Sequence, residues 1–219
     1  MTIPSDSQSE GEIEIEYESP DNPMNLDESL EEDRIMPIAE MQIHTDEVCT
    51  VQWHPIHPNT FASGSVEEKS YLVRFEEIHE LPGNTETITR LKFSGDGEYL
   101  AVACMDGSIT VWSSSNFQSP LCKLEGPSDE VMWIDWHPRG PVIAASSSDM
   151  SIWVWDVRQN STLAVFTNHR GPVHMAKFSK NGRFLYSCSD DSTARVWDLK
   201  DMANMTAPNV AVFTGHGFH

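Results

Sequence analysis

The chain carries an internal repeat of about 42 residues, and this periodicity restricts it to a repeating architecture. The segments VCTVQWHP, ITRLKFSG, VMWIDWHP and VHMAKFSK begin at Val48, Ile88, Val131 and Val173. Two further short runs rich in β-branched and aromatic residues follow each segment, which is the composition of strands. No comparable helical period is present, so the repeat predicts an all-β fold.

The third run of three units contains a Val-Trp pair, in SITVWS, SIWVWD and TARVWD. With the period and the strand count, this motif resembles the WD-repeat family of β-propellers, in which each repeat supplies one four-stranded blade. The resemblance implies four recognisable blades of a partial or truncated ring within a propeller segment at 41–219. The four repeats are placed at about 44–83, 84–126, 127–168 and 169–216.

A buried polar network is a second implication of the resemblance, because WD repeats join a histidine, a serine or threonine, an aspartate and the motif tryptophan. The fourth unit has every part, and the sequence does not choose between its two serines, which share one face of a strand. The implied structural network is His169, Ser187 or Ser189, Asp191 and Trp197.

The other three units lack parts of this network. Asn84 and Pro127 occupy the histidine column of the second and third units, and in the first unit Glu68 and Arg74 stand for the aspartate and the tryptophan. A half-satisfied buried network leaves polar groups unpaired. We therefore expect the first blade to be the least stable.

The negative charge is concentrated at the N-terminus. Residues 1–40 hold thirteen acidic residues and one basic residue, Arg34, so about −12 of the formal charge of −20 lies there. Such a segment buries too little apolar surface to order itself, which predicts a disordered acidic tail at 1–40. The charge also disfavours direct nucleic acid binding and indicates protein partners with basic segments.

The stretch DEVMWIDWHPRGP invites a catalytic interpretation, since Asp135 and His137 could act as a base and its orienting partner. The repeat favours packing, because Trp136 has aromatic counterparts in the same column of every unit. These counterparts are Trp53, Phe93 and Phe178. We therefore expect no enzymatic activity.

Histidine pairs raise the alternative of a metal site, notably His54 with His57 and His216 with His219. Neither pair has a third ligand at metal spacing, so we expect no metal and no cofactor. The N-terminus lacks the pattern of a signal peptide and no run of about 18 apolar residues occurs. The sequence predicts a cytoplasmic protein, with a nuclear fraction allowed, and no integral membrane association.

The segment EGPSDEVMWIDWHPRGPVIAASSSDMSIWVWDV, with its two-tryptophan first strand, is similar to the angio-associated migratory cell protein family. That resemblance implies a non-enzymatic scaffold linked to cell migration and angiogenesis. A relative that escorts a basic ribosomal protein to the ribosome supplies the alternative of a dedicated chaperone. Four repeats predict a truncated isoform or an incomplete gene model, with self-association through open blade edges.

Partner binding is expected on one face of the propeller, where the turn between the second and third strands meets the loop that enters the first strand. An acidic residue beside a flexible apolar side chain, as in Glu130 and Met132, suits a basic and partly apolar peptide. The candidate protein-binding residues are Glu47, Cys49, Met105, Glu130, Met132, Ser148, His174 and Asp190.

Overall fold

The computed structural model describes residues 40–74, 77–200 and 209–214. The predicted disordered tail at 1–40 lies outside these residues apart from Glu40. The chain divides into two compact units, Met1–Thr45 and Asp46–His219, and the second unit holds the sixteen described strands. These strands confirm the all-β prediction.

The strands form four antiparallel sheets, each of four strands in chain order. The first sheet is β1 (Val48–Trp53), β2 (Thr60–Ser65), β3 (Ser70–Arg74) and β4 (Glu77–Glu80). The second is β5 (Ile88–Phe93), β6 (Tyr99–Cys104), β7 (Ile109–Ser113) and β8 (Cys122–Leu124). The third is β9 (Val131–Trp136), β10 (Val142–Ser147), β11 (Ile152–Asp156) and β12 (Ser161–Phe166). The fourth is β13 (Val173–Phe178), β14 (Phe184–Ser189), β15 (Thr193–Asp198) and β16 (Asn209–Thr214).

The sheets are consecutive blades of a β-propeller that pack face to face. The first strands neighbour one another in chain order, with β1 beside β5, β5 beside β9 and β9 beside β13. Three apolar clusters fill the three junctions, and each draws its side chains from two consecutive blades. The first strand of every blade has a register irregularity near its opening residue, which increases local twist.

Two His-Pro turns fasten one blade to the next. His54 Nε2 lies 3.1 Å from Gly97 O, and His137 Nε2 lies 3.1 Å from Gly182 O in the equivalent turn two blades later. Both glycines have φ of +73°, and a Cβ on either would collide with the histidine ring. His54 Nδ1 accepts the backbone N–H of His57 at 3.0 Å, so the HPIHP motif builds a turn.

The stretch DEVMWIDWHPRGP is a packing element of the third blade. Trp136 is buried and its Nε1 donates to Lys92 O at 2.9 Å. Asp135 is also buried, and its carboxylate receives Lys92 Nζ at 2.7 Å and the backbone N–H of Phe178 at 2.8 Å. Asp135 therefore joins the third blade to both the second and the fourth, and His137 contacts the Gly182 turn of the fourth, so both side chains hold neighbouring blades together.

Candidate protein-interaction rim

A continuous polar chain crosses the fourth blade. His169 Nδ1 lies 2.8 Å from Asp191 Oδ2, and His169 Nε2 lies 2.8 Å from Ser187 Oγ. Trp197 Nε1 donates to the same Ser187 Oγ at 3.0 Å. Ser189 is outside the chain, and its hydroxyl donates to Gly171 O at 2.8 Å. Of the two serines left open by the sequence, Ser187 is the one that joins histidine to tryptophan.

Burial and hydrogen bonding set the protonation states in this chain. Desolvation lowers the pKa of His169, although Asp191 opposes the shift. Desolvation also disfavours the Asp191 carboxylate, but hydrogen bonds from Thr193, the Arg170 backbone and His169 outweigh it and hold the pKa of Asp191 well below its usual range. The pair therefore persists as a neutral imidazole beside a carboxylate at neutral pH.

The equivalent tryptophans of the second and third blades lack this acceptor. Among the described residues, Trp112 Nε1 and Trp155 Nε1 have no hydrogen-bond partner. Strand register places Val102 and Ala145 at the position of Ser187, and neither side chain has a hydroxyl group. The substitutions explain why two buried donors are left unpaired.

In the first blade, two sequence assignments are wrong by one residue each. Glu67, and not Glu68, occupies the aspartate position, because Glu67 N donates to Ser65 Oγ at 3.2 Å just as Asp191 N donates to Ser189 Oγ at 3.1 Å. Glu68 instead has φ of +67° and matches Ser192, whose φ is +64°. Val73, and not Arg74, occupies the tryptophan position, because Val73 pairs with Phe61 as Trp197 pairs with Leu185. Both assignments differ by one residue, since the turn that lacks the key aspartate does not reveal its length in the sequence.

Four equivalent backbone hydrogen bonds build one end of the blades. In each blade, the turn between the second and third strands donates to the residue just before the first strand. The bonds are Val66 N to Glu47 O at 3.1 Å, Met105 N to Thr87 O at 2.9 Å, Ser148 N to Glu130 O at 3.0 Å and Asp190 N to Pro172 O at 3.0 Å. The sequence-predicted binding columns therefore do lie together at this end.

The predicted residues differ in how available they are. Glu47, Cys49, Met105, His174 and Asp190 are exposed, with His174 Nε2 at 2.6 Å from Asp190 Oδ1. Glu130, Met132 and Ser148 are half-buried. Partial burial reduces the apolar area that Met132 offers to a partner.

Three acidic residues that sequence reasoning missed also belong to this end. Asp46 and Asp129 precede Glu47 and Glu130, and each accepts the following backbone N–H, at 2.7 and 2.8 Å. Glu86 takes the position of Asp46 in the second blade and is exposed. The sequence Asp-Glu-Val recurs at the start of β1 and of β9, and this repetition could have identified Asp46 and Asp129. We call this set the acidic rim: Asp46, Glu47, Glu86, Asp129, Glu130 and Asp190.

Two cysteines at or near this end of the blades have thiols with raised pKa values. Burial, with the charges of Glu47 and Asp46, raises the pKa of the Cys49 thiol. Burial raises the pKa of Cys104 to about 12. Both thiols stay protonated at neutral pH, and a protonated thiol is a poor nucleophile.

Within residues 40–74, 77–200 and 209–214, no group of three or more His, Cys, Asp or Glu side chains is arranged to hold a metal ion. In the same part of the chain, no helix has the length and apolarity needed to cross a membrane.

The chain matches the family model described as WD domain, G-beta repeat, at residues 75–113, 118–156 and 160–198. Each matched range runs from the fourth strand of one blade to the third strand of the next, so the sequence repeat is offset from the blade by one strand. β1, β2 and β3 precede the first matched range.

Curated relatives include the human angio-associated migratory cell protein, 26% identical over 72% of this chain and 36% of its own length. The nuclear distribution protein PAC1 of Trichophyton verrucosum is 31% identical over 73% of this chain and 37% of its own length. The chain thus spans little more than a third of the length of these relatives.

Proposed function

Because this chain belongs to the WD-repeat family of β-propeller proteins, we propose that it is a non-enzymatic scaffold that binds basic protein segments through the acidic rim. The observation that carries the proposal is the clustering of carboxylates on equivalent loops of neighbouring blades. Thr89 Oγ1 donates to Val131 O at 2.6 Å, which brings the second and third blades close at this end. A row of like charges on a rigid support attracts an extended polycation.

Neutral substitutions in the rim test this proposal. In the Glu47→Gln, Glu130→Gln variant we expect affinity for a lysine- and arginine-rich peptide to fall roughly fivefold to tenfold, since an exposed ion pair contributes up to about 1 kcal/mol. Fluorescence anisotropy of the labelled peptide measures the dissociation constant. The decrease should shrink at high salt.

A matched control removes two charges from the opposite end of the blades. Glu98 follows the turn after β5 and Asp156 ends β11, so Glu98→Gln, Asp156→Asn changes the net charge equally without touching the rim. We expect little change in peptide affinity. Equal weakening by both variants would show that the peptide responds to net charge and would reject a rim site.

A chaperone for a basic ribosomal protein is the second candidate function. The feature that favours it is the N-terminal segment, with thirteen acidic residues among residues 1–40. A pull-down from cell extract separates the two functions. One dominant basic ribosomal protein supports the chaperone, and a mixed set of signalling proteins supports the scaffold.

The likeness to the angio-associated migratory cell protein supports extending the scaffold proposal to cell migration, and through migration to angiogenesis. The supporting likeness covers 72% of this chain at 26% identity. Slower wound closure after depletion of the chain is the expected result. We also propose a cytoplasmic location with a nuclear fraction, which fluorescence imaging of the tagged chain would test.

A further inference from the structure

The first blade exposes apolar side chains at positions that are buried in the third. Val51 and Trp53 on β1 are 60% and 59% exposed, whereas their counterparts on β9, Ile134 and Trp136, are 2% and 5% exposed. The correspondence is set by register, since the two strands have equal length and both have an irregularity near the opening valine. In the third blade, the tryptophan at this position faces the preceding blade. The large aromatic side chain of Trp53 is therefore suited to the same kind of contact.

The junction between the second and third blades shows what such a site contains. Trp136 Nε1 donates to Lys92 O at 2.9 Å, and the Trp136 ring stacks on Tyr99 with centroids 5.8 Å apart. Lys92 Nζ lies 2.7 Å from Asp135 Oδ1. One blade therefore supplies a lysine and an aromatic ring, and the next supplies tryptophan and the residue before it.

The fourth blade carries the same receiving groups. Register aligns β13 with β5 and β14 with β6, so Lys177 corresponds to Lys92 and Phe184 to Tyr99. Lys177 is exposed and Phe184 is half-buried. The neighbouring Met175 and Tyr186 are 37% and 46% exposed. Two cations accompany these apolar groups, because the Arg183 guanidinium lies 4.8 Å from the centre of the Phe184 ring. The counterpart face of the second blade also has two, since Arg90 stands there at the position of Met175.

The two open surfaces are faces of sheets rather than hydrogen-bonding edges, which refines the sequence expectation of association through open blade edges. The chain thus holds both halves of a blade junction, one on its first blade and one on its fourth. The first-blade half differs from its counterpart at one charged position, because Gln52 stands where Asp135 lies in the third blade.

We propose that two copies of the chain associate by docking the first blade of each on the fourth blade of the other. Trp53 packs on Phe184 of the second copy and donates to the Lys177 carbonyl, and Gln52 accepts from the Lys177 ammonium group. Twofold symmetry makes this contact twice and joins four blades to four. The product is a closed ring of eight blades, which is within the usual range for propellers.

A second copy is the occupant that these residues favour, because the receiving and the entering groups both belong to this chain. Closure also removes both open apolar faces together, whereas a one-sided contact would leave one of them exposed. Sedimentation velocity of the full chain over a wide concentration range measures the association. We expect a monomer of 24.6 kDa in equilibrium with a species of twice that mass.

Three variants test the surface. Trp53→Ala should raise the dimer dissociation constant at least tenfold, as expected for a central aromatic contact. Lys177→Glu should weaken the dimer as well. Gln52→Asp recreates the Lys92–Asp135 pair across the interface and should tighten the dimer several-fold. The control is Leu121→Ser, an exposed apolar residue outside both faces, which should leave the dissociation constant unchanged.

Other results would overturn the proposal. A monomer at every concentration would show that these faces do not bind a second copy. Species that keep growing beyond the dimer would show open head-to-tail addition without ring closure. A dimer insensitive to Trp53→Ala, Lys177→Glu and Gln52→Asp would place the contact elsewhere. Far-ultraviolet circular dichroism confirms that each variant is folded. Trp53→Ala and Lys177→Glu lie on different blades, so the surface can still be tested if one of these two variants does not fold.

Discussion

Trp112, Trp155 and Trp197 occupy one column of three blades and are fully or almost fully buried, yet only the indole of Trp197 finds an acceptor within the described residues. The difference arises on the second strand of each blade. Val102 in the second blade and Ala145 in the third occupy the position that Ser187 has in the fourth. Burying a polar group without a partner is unfavourable, so two blades tolerate a penalty that the fourth avoids. Apolar packing around the indole rings outweighs it.

Val102→Thr is predicted to be nearly neutral, within about 0.5 kcal/mol of the parent free energy of unfolding, because the new hydroxyl meets the unpaired Trp112 Nε1. The control is Val111→Thr on the neighbouring strand, which faces away from Trp112 and should cost about 1–3 kcal/mol. Urea unfolding measures both changes. Equal losses in the two variants would contradict the role assigned to the missing hydroxyl group.

The blades differ from one another in the residues through which each contacts its neighbours. The His-Pro turns of the first and third blades place His54 and His137 over glycine turns of the second and fourth, while the second and third blades meet through Lys92, Asp135 and Trp136. The first blade has only one such junction in the described chain. It also has the smaller Val73 where the other blades have tryptophan, so its own side chains fill its faces less well.

Backbone amides of β2 and β3 are predicted to exchange with solvent roughly tenfold faster than those of β10 and β11, because local opening requires less buried apolar surface to be exposed in the first blade. Hydrogen exchange with mass spectrometry, at a concentration where the monomer dominates, makes the comparison. Uniform protection across the two blades would show that the first blade is as stable as the third.

The chain has a formal net charge of −20, and a few of its histidine and aspartate side chains are partly or fully buried. Desolvation lowers the pKa of His54 and of His169 from their usual value of 6.5. For Asp106 and Asp149, hydrogen bonds overcome desolvation and lower each carboxyl pKa from 3.8. The folded chain therefore binds fewer protons than the unfolded chain in two separate pH ranges.

Stability is predicted to be greatest between about pH 6.5 and pH 9, because the buried thiols of Cys104 and Cys122 have raised pKa values, and to fall in two stages on acidification. Lowered histidine pKa values mean that the unfolded state takes up protons first, so stability declines as pH decreases below 6.5. The carboxyl groups add a second loss below pH 3.8. Urea unfolding at a series of pH values tests this, with His169→Asn as the variant in which the first stage should be smaller. A flat profile across pH 6.5 would contradict it.

The sequence by itself determined the repeat, the strands and the columns, because apolar alternation and turn residues are local properties that recur with every blade. It also identified the residues of the polar chain in the fourth blade. It predicted that Glu47, Glu130 and Asp190 lie at the same end of the blades. It missed Asp46, Glu86 and Asp129, and misaligned Glu68 and Arg74 by one residue, because loop and turn residues have no packing pattern to fix their register.

Only the tertiary structure decided which side chains face a neighbouring blade. Ser187 and Ser189 are alike in sequence, but one points at Trp197 and the other at Gly171. Trp53 and Trp136 share a column, yet one is exposed and the other buried. Burial of a propeller residue depends on the blade beside it, and that neighbour lies some forty residues away along the chain.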